Sequence, residues 1–363
     1  MPTPGCGISS LTDVLIDSTY PKSFASDNHA GVHPTILAAI AGANEGDAPA
    51  YGGDTWTAAF EDKVKEVFGP GAEGFAVLNG AGANMVGLAL MLGRFDAVIC
   101  ADSAHIATHE AGAAERLLGV KLLTAPTQNG DGKLRPDDIT SRLDGIGNHH
   151  VSQPTVVSIS QATELGTCYS PAEIAALAET AHAAGLRLHM DGARLANAAA
   201  HFGCDLRAIT TDVGVDVFSF GGTKNGALAA EAVVVLDPSL SDAVPFLRRQ
   251  SLQLASKMRF ISAQLSALLT DDLWRQNGSH ANEMAARLAD GLTEVPSVSL
   301  AQPVQSNAVF ATLPAAVVET LRQRYLFHYW DEATGVVRWM TAFDTTPEHV
   351  DDFLDDIRKA AAS

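Results

Sequence analysis

The chain has 363 residues, 47% of them hydrophobic, which is enough for a large core and for more than one domain. Acidic residues outnumber basic ones by 42 to 24, and the formal charge of -18 repels phosphate backbones and anionic lipid. Nucleic acid and membrane surfaces are therefore poor partners, although cations lining a pocket would still admit a small anion.

The four cysteines, Cys6, Cys100, Cys168 and Cys204, form no CxxC pair, as expected in a reducing compartment. No apolar run approaches the roughly 20 residues of a membrane span. The N-terminus has no basic region leading into an apolar stretch. A soluble, cytoplasmic protein is expected. Residues 1–25 read as an irregular N-terminal segment, 26–240 as a large α/β domain and 241–363 as a smaller C-terminal α+β domain.

In the large part, short β-branched apolar runs alternate with Ala/Leu-rich helical stretches. Strands are predicted at Phe75–Leu78, Ala97–Ala101, Val120–Thr124, Thr155–Ser160, Leu186–Met190, Val215–Phe218 and Ala232–Leu236. Their faces show little polar alternation, as in strands buried on both sides of a mainly parallel sheet. Ser170 as N-cap, Pro171 at the first helical position and Gly185 beyond the end bracket one crossover helix. The pattern predicts a three-layer α/β/α sandwich with right-handed crossovers. After Pro238 one long helix is predicted over Ser241 to about Thr270, then a second to about Leu292. Strands at Ala308–Thr312 and Val336–Met340 and helices at Pro314–Tyr325 and Pro347–Ala361 follow.

Three segments carry chemistry. In Phe75-Ala-Val-Leu-Asn79-Gly80-Ala81-Gly82-Ala-Asn84, a strand enters a Gly-rich turn and a helix predicted over Ala83–Leu92. Such a turn suits an anion at a helix N-terminus, or it is merely a tight connection. It is not a full GxGxxG, because Met85 holds the third position. Asp102, about 20 residues on, keeps a Rossmann-type nucleotide-binding protein open as a non-enzyme reading.

In Leu186-Arg-Leu-His-Met-Asp191-Gly-Ala-Arg194, a buried strand delivers an acid and an arginine to its carboxyl end, where open α/β sheets bind ligands. An ordinary N-cap for Asp191 and a surface pairing for Arg194 are the plainer readings. In Val215-Asp-Val-Phe-Ser-Phe-Gly-Gly-Thr223-Lys224-Asn-Gly, a lysine follows a hydrophobic strand directly. A crowded, partly dry turn disfavours the ammonium form and makes the amine nucleophilic. The catalytic reading is favoured over a phosphate-binding one because Asp191 matches a pyridinium partner. Together the segments predict pyridoxal 5'-phosphate held as a Schiff base on Lys224, with Asp191 on its ring nitrogen. No metal is expected.

These segments sit within a wider resemblance. Ser26-Asp-Asn, Ala50-Tyr51-Gly-Gly-Asp54, Asp102-Ser-Ala-His105, His189-Met-Asp191-Gly-Ala-Arg194-Leu, Ser219-Phe-Gly-Gly-Thr-Lys224-Asn-Gly, Ser256-Lys-Met-Arg259-Phe and Val337-Arg338-Trp-Met resemble the low-specificity L-threonine aldolases, and most closely the bacterial branch that includes phenylserine aldolase.

The resemblance implies the aspartate-aminotransferase-like fold (pyridoxal-phosphate fold type I). It implies retro-aldol cleavage of L-threonine or L-allo-threonine, a β-hydroxy-α-amino acid, to glycine and acetaldehyde. His105 would stack on the cofactor ring. Ser26, Arg194 and Arg338 would hold the substrate carboxylate. Tyr51 and Arg259 would complete the site from a neighbouring subunit of a homo-oligomer, a dimer of dimers. Asn79, Gly80, Ala81 and Thr223 would hold the phosphate. Asn79-Gly80-Ala81 stands where many relatives have Ser-Gly-Thr, so one hydroxyl donor is missing. Gln161-Ala-Thr-Glu164-Leu-Gly replaces the Glu-Asn-Thr-His of other branches, which bears on substrate preference.

The base for the β-hydroxyl stays open between His105, a water and the cofactor phosphate. Phenylserine cleavage and another fold type I reaction, β-elimination or transamination, are the rival activities.

Overall fold

The computed structural model describes residues 22–127 and 130–362, so Cys6 and most of the segment 1–25 lie outside the described residues. Seven strands form the main sheet: β1 (Glu73–Val77), β2 (Asp96–Ala101), β3 (Lys121–Ala125), β4 (Gln153–Ser160), β5 (Arg187–Gly192), β6 (Val217–Gly221) and β7 (Glu231–Val235). Their order is β1-β7-β6-β5-β4-β2-β3. Only β7 runs against the rest, pairing antiparallel with β1 and β6. The mainly parallel α/β architecture expected from the sequence is therefore borne out, each strand lying within two or three residues of its predicted bounds.

Strands β4 to β7 are almost entirely buried, and their Val, Ile and Phe side chains join flanking-helix residues such as Leu177, Leu195 and Leu265 in the largest core cluster. Burial of both faces explains the missing polar alternation. The predicted caps of helix Pro171–Ala183 are present. Ser170 Oγ accepts from Glu173 N while Glu173 answers to Ser170 N, and Gly185 takes φ +75°.

A second sheet of order β10-β11-β9-β8 is antiparallel throughout, with β8 (Ser299–Leu300), β9 (Ala308–Thr312), β10 (His328–Asp331) and β11 (Val336–Met340). Strands β8 and β10 were not foreseen. One is two exposed residues long and the other has no fully buried member, so neither carries an apolar signature. Phe24 enters this sheet's core, stacked on Phe353 with ring centroids 4.4 Å apart.

The single helix expected from Ser241 to about Thr270 is corrected. A 3-10 turn (Pro238–Ala243) leads to a helix at Val244–Gln250, and after a break a second helix runs over Arg259–Leu269. No glycine or proline lies between Phe246 and Asn277 to announce the break. Its cause is tertiary: Leu252 takes φ +61°, and Gln253 leaves the helical path so that its Oε1 accepts from Leu78 N at 3.0 Å. No helix among the described residues is long and apolar enough to cross a membrane.

Candidate active site

Strands β1, β2, β4, β5 and β6 are mutually parallel, so their carboxyl ends open on one edge of the sheet. The segments that follow four of them line one cavity of about 330 Å³: Asn79, Gly80 and Ala81 after β1, His105 after β2, Glu164 after β4 and Lys224 after β6. Asp191, next to last in β5, lies there too. Three of the chemistry-bearing sequence segments, more than 130 residues apart at the extremes, thus meet because the topology aligns their strands.

The Gly-rich turn is a helix start. The helix begins at Gly80, three residues earlier than expected, with extended Asn79 as N-cap accepting from Gly82 N at 2.8 Å. That bond occupies the Asn79 side-chain oxygen. The N–H groups of Gly80 and Ala81, at the first two helical positions, have no intrahelical acceptor and so suit an anion. A Cβ on Gly80 would meet nothing within 4 Å, whereas one on Gly82 would lie 2.2 Å from the Gln253 amide. A larger residue at position 82 would displace the Gln253 amide from its bond to Leu78 N.

Asp191 is buried. Its Oδ2 accepts from Asn84 Nδ2 at 2.9 Å and its Oδ1 from Ala193 N at 3.0 Å. Burial alone would raise this carboxyl, but the Asn84 bond, the Lys224 charge and the Ala193 N–H hold it below the usual carboxylate range. It is charged at neutral pH. The same Asn84 amide donates to Glu110 Oε1 at 2.9 Å, and that oxygen also bonds His105 Nδ1 at 2.8 Å. The Glu110 bond raises the His105 pKa against the effect of burial. His105, Glu110 and Asp191 place potential metal-ligand atoms within 4.8 Å of one another. Hydrogen bonds account for the cluster, because the Asn84 nitrogen bridges the two carboxylates.

Lys224 sits in a 3-10 turn, Thr223–Asn225, closed by Gly226 at φ +102°. Glu231, at the start of β7, accepts from Gly222 N at 3.1 Å and Thr223 N at 3.3 Å. Burial drives the Glu231 carboxyl up to about 7 despite these donors and the Lys224 charge. The Thr223 hydroxyl accepts from Ala230 N at 3.2 Å, so it braces the turn.

A second hollow adjoins the first through His105, Glu164 and Lys224, and is walled by Ser26, Arg194 and Arg338. Arg194 grips buried Asp27 through Nε at 2.7 Å and Nη2 at 2.9 Å, and Asn307 Nδ2 supports the same carboxylate at 3.0 Å. The outer Nη1/Nη2 edge of Arg194 remains a fork for an anion. Arg338 lies over the Trp330 ring at 5.1 Å, and burial together with the Arg194 charge lowers its pKa. Two neighbouring guanidiniums that destabilise each other gain from an anion held between them.

The Asp27–Arg194 pair also has a pH signature. Burial raises the Asp27 carboxyl, but Arg194 and Lys224 bring it down from 3.8 to about 2. A depressed folded-state pKa contributes stability that is complete above pH 3.8 and is lost as pH falls through about 2. Asp27→Asn is expected to lower the unfolding free energy from urea titration near neutral pH by on the order of 2 kcal/mol, and the gap should close in strong acid. A gap independent of pH would exclude this electrostatic origin.

Two expected site residues lie elsewhere in this chain. Tyr51 is half exposed at φ +59°, under the Arg249 guanidinium, and Arg259 donates from Nη1 to Gly46 O at 2.9 Å. Neither lines the two hollows. Several residues in or behind the site were missed by the sequence reading. Asp27 stood inside the Ser26-Asp-Asn motif. Asn84 and Glu110 carried a weaker cue, as polar residues in Ala- and Gly-rich surroundings. Glu231 carried none beyond opening an apolar strand.

Residues 23–316 match the model of the beta-eliminating lyase family. The chain belongs to that family. Among its relatives, this chain is 41% identical over 340 residues to "Low specificity L-threonine aldolase" of Pseudomonas aeruginosa, covering 93% of this chain and 98% of that one. It is 39% identical over 338 residues to the protein of the same name from a Pseudomonas species, with 93% and 97% covered. A solved structure of Leishmania major threonine aldolase superposes with a TM-score of 0.88 at 32% identity, over 94% of this chain and all of that one. The family resemblance and the aspartate-aminotransferase-like fold expected from the motifs are both borne out. The Rossmann-type binding protein is set aside.

Proposed function

We propose that this lyase uses pyridoxal 5'-phosphate to cleave L-threonine and L-allo-threonine to glycine and acetaldehyde, with little selectivity at the β-carbon. One observation carries the reading: Lys224, charged Asp191 and two carboxylate-seeking arginines converge on adjoining hollows. The residues present fit the cofactor. Gly80 leaves open space above free N–H groups, and Glu110 Oε2 and Asn84 Oδ1 are buried polar atoms without a partner beside Asp191. Lys224 would hold the carbonyl carbon, Asp191 the ring nitrogen, the Gly80–Ala81 turn the phosphate, and His105 one ring face. When bound, the cofactor supplies an electron-withdrawing ring that accepts negative charge developing at the substrate Cα.

The protein's part is alignment and proton handling. The outer fork of Arg194 and the Arg338 guanidinium, with Ser26, grip the substrate carboxylate. That grip sets which Cα bond faces the ring. Half-buried Trp330 lines the second hollow and, backed by buried Phe310 at 5.4 Å between ring centroids, would limit water on that side of the substrate. Low selectivity at Cβ follows where the methyl and the hydrogen of that carbon can exchange places.

Parallel assays test the function, acetaldehyde from threonine against pyruvate from serine. Pyruvate without acetaldehyde would refute it in favour of β-elimination. A kcat/KM far higher for phenylserine than for threonine would instead make it a phenylserine aldolase. Arg338→Ala should raise KM for threonine by on the order of tenfold to a hundredfold, as loss of one charge-assisted contact costs about 1.5–3 kcal/mol. An unchanged KM would remove Arg338 from carboxylate binding.

Tyr51 and Arg259 have a place in this scheme only from a second subunit. The face beside Tyr51 carries Pro245, Leu254 and exposed Phe246 (76%), apolar surface that a neighbouring copy would cover. On this reading the protein is a homo-oligomer, a dimer of dimers as the resemblance implies. Sedimentation of the purified protein as a monomer would refute it.

A further inference from the structure

Resting on the aldolase reading above, we infer that Glu164 is a catalytic residue that holds the substrate's β-hydroxyl and takes its proton. The inference starts from how the chain presents this side chain. After β4, Gly166 N donates to Thr163 O at 2.9 Å, closing a tight turn with Glu164 at its second position. Thr163 N donates to Thr167 O at 2.9 Å, and the two threonine hydroxyls bond at 2.7 Å. Thr167 Oγ1 in turn donates to Asp131 O at 2.6 Å, and Gly166 O accepts from Ser306 Oγ at 3.0 Å. Next to it, Leu165 packs against the cluster of Ala308, Phe310 and Met340. Every neighbour in the turn is tied down.

Glu164 itself lines both hollows and, among the described residues, its carboxylate makes no hydrogen bond or ion pair. An unpartnered acid on a braced turn thus faces His105, Arg194 and Arg338, all of which feel its charge. The other acids near Lys224 are already engaged. Asp27 grips Arg194, Asp191 and Glu110 share Asn84, and Glu231 holds the Lys224 turn.

His105 is the less suitable acceptor. Its Nδ1 is taken by the Glu110 carboxylate, and that bond raises its pKa, which favours the proton-bearing, donating form of the ring. A substrate whose carboxylate rests on Arg194 and Arg338 and whose amino group points to Lys224 has its β-carbon substituents in the junction where Glu164 stands. In the cleavage step the hydroxyl proton passes to the Glu164 carboxylate and the O–H electron pair becomes the second C–O bond of the aldehyde. The Cα–Cβ bond breaks with its pair left on Cα. The proton on Glu164 then balances the one that Cα takes up as glycine forms, so no oxidant or reductant is needed.

The test compares two reactions of the holoenzyme. Cleavage of threonine requires the hydroxyl, whereas exchange of a glycine Cα proton with deuterated water, followed by NMR, does not. Glu164→Gln is isosteric and is expected to lower kcat for threonine by on the order of a hundredfold or more while glycine exchange persists. Glu164→Asp should recover part of the cleavage rate. Persistent exchange also reports that the variant is folded and loaded. Cleavage by Glu164→Gln close to that of the parent overturns the assignment. So does a loss of exchange in step with cleavage, which would mark a structural role. A parent enzyme that exchanges glycine but releases no acetaldehyde takes down the aldolase reading itself, and Glu164 with it.

Discussion

Replacing Lys224 by alanine is expected to lower threonine cleavage by on the order of a thousandfold or more, about 4 kcal/mol of transition-state stabilisation. Lys224 lines both hollows, and the buried acids of β5 and β7 flank it. No other lysine lines either hollow among the described residues, so none can replace its amine. A direct measurement accompanies the kinetics. Borohydride reduction of the loaded parent, followed by peptide mapping, should find the cofactor on Lys224 and on no other residue, and the alanine variant should carry none. A label elsewhere, or a variant retaining near-parental turnover, would refute the assignment. The fold should survive, because the turn is secured by backbone N–H bonds to Glu231 and by the Asn225–Asn277 contacts, not by the lysine side chain.

Asp191→Asn isolates charge from shape. The substitution is isosteric, but it replaces a charged acceptor by a neutral amide facing the Asn84 and Ala193 donors. A fall in kcat on the order of a hundredfold is expected, because a buried charge aimed at a cofactor ring acts in a low-dielectric setting. The same change should lower the His105 pKa, since the Asp191 charge is one of the influences that raise it. NMR titration of the imidazole reads this independently of turnover. An unaltered His105 titration together with unaltered kcat would show that Asp191 acts only as packing.

Much of the fold was written in local signals. Seven apolar β-branched runs, the Ser170–Pro171 start and the Gly185 stop name their elements because strand burial and helix capping depend on residues within a few positions of each other. Lys224 and Asp191 were legible for a related reason. A polar residue placed directly after a buried strand must emerge at the sheet edge, and the order of motifs along the chain ties the edges together. The break at 251–258 was not legible. Nothing local separates the helix Val244–Gln250 from Arg259–Leu269, and what interrupts them is a partner on another element, Leu78, which Gln253 must reach.

The same division runs through the site. By itself the sequence determined the strand pattern and the family and singled out Lys224 and Asp191 as candidates, because these signals reside in contiguous residues whose spacing is independent of how the chain closes. Only the tertiary structure decided that Asp27 locks Arg194, that one Asn84 amide joins Asp191 to Glu110 and hence to His105, and that Tyr51 and Arg259 stand apart from this chain's own hollows. The Asn84 and Arg194 contacts link residues 26 to 167 positions apart. Their existence depends on strand order and loop path, and no periodicity in a single stretch of chain encodes either.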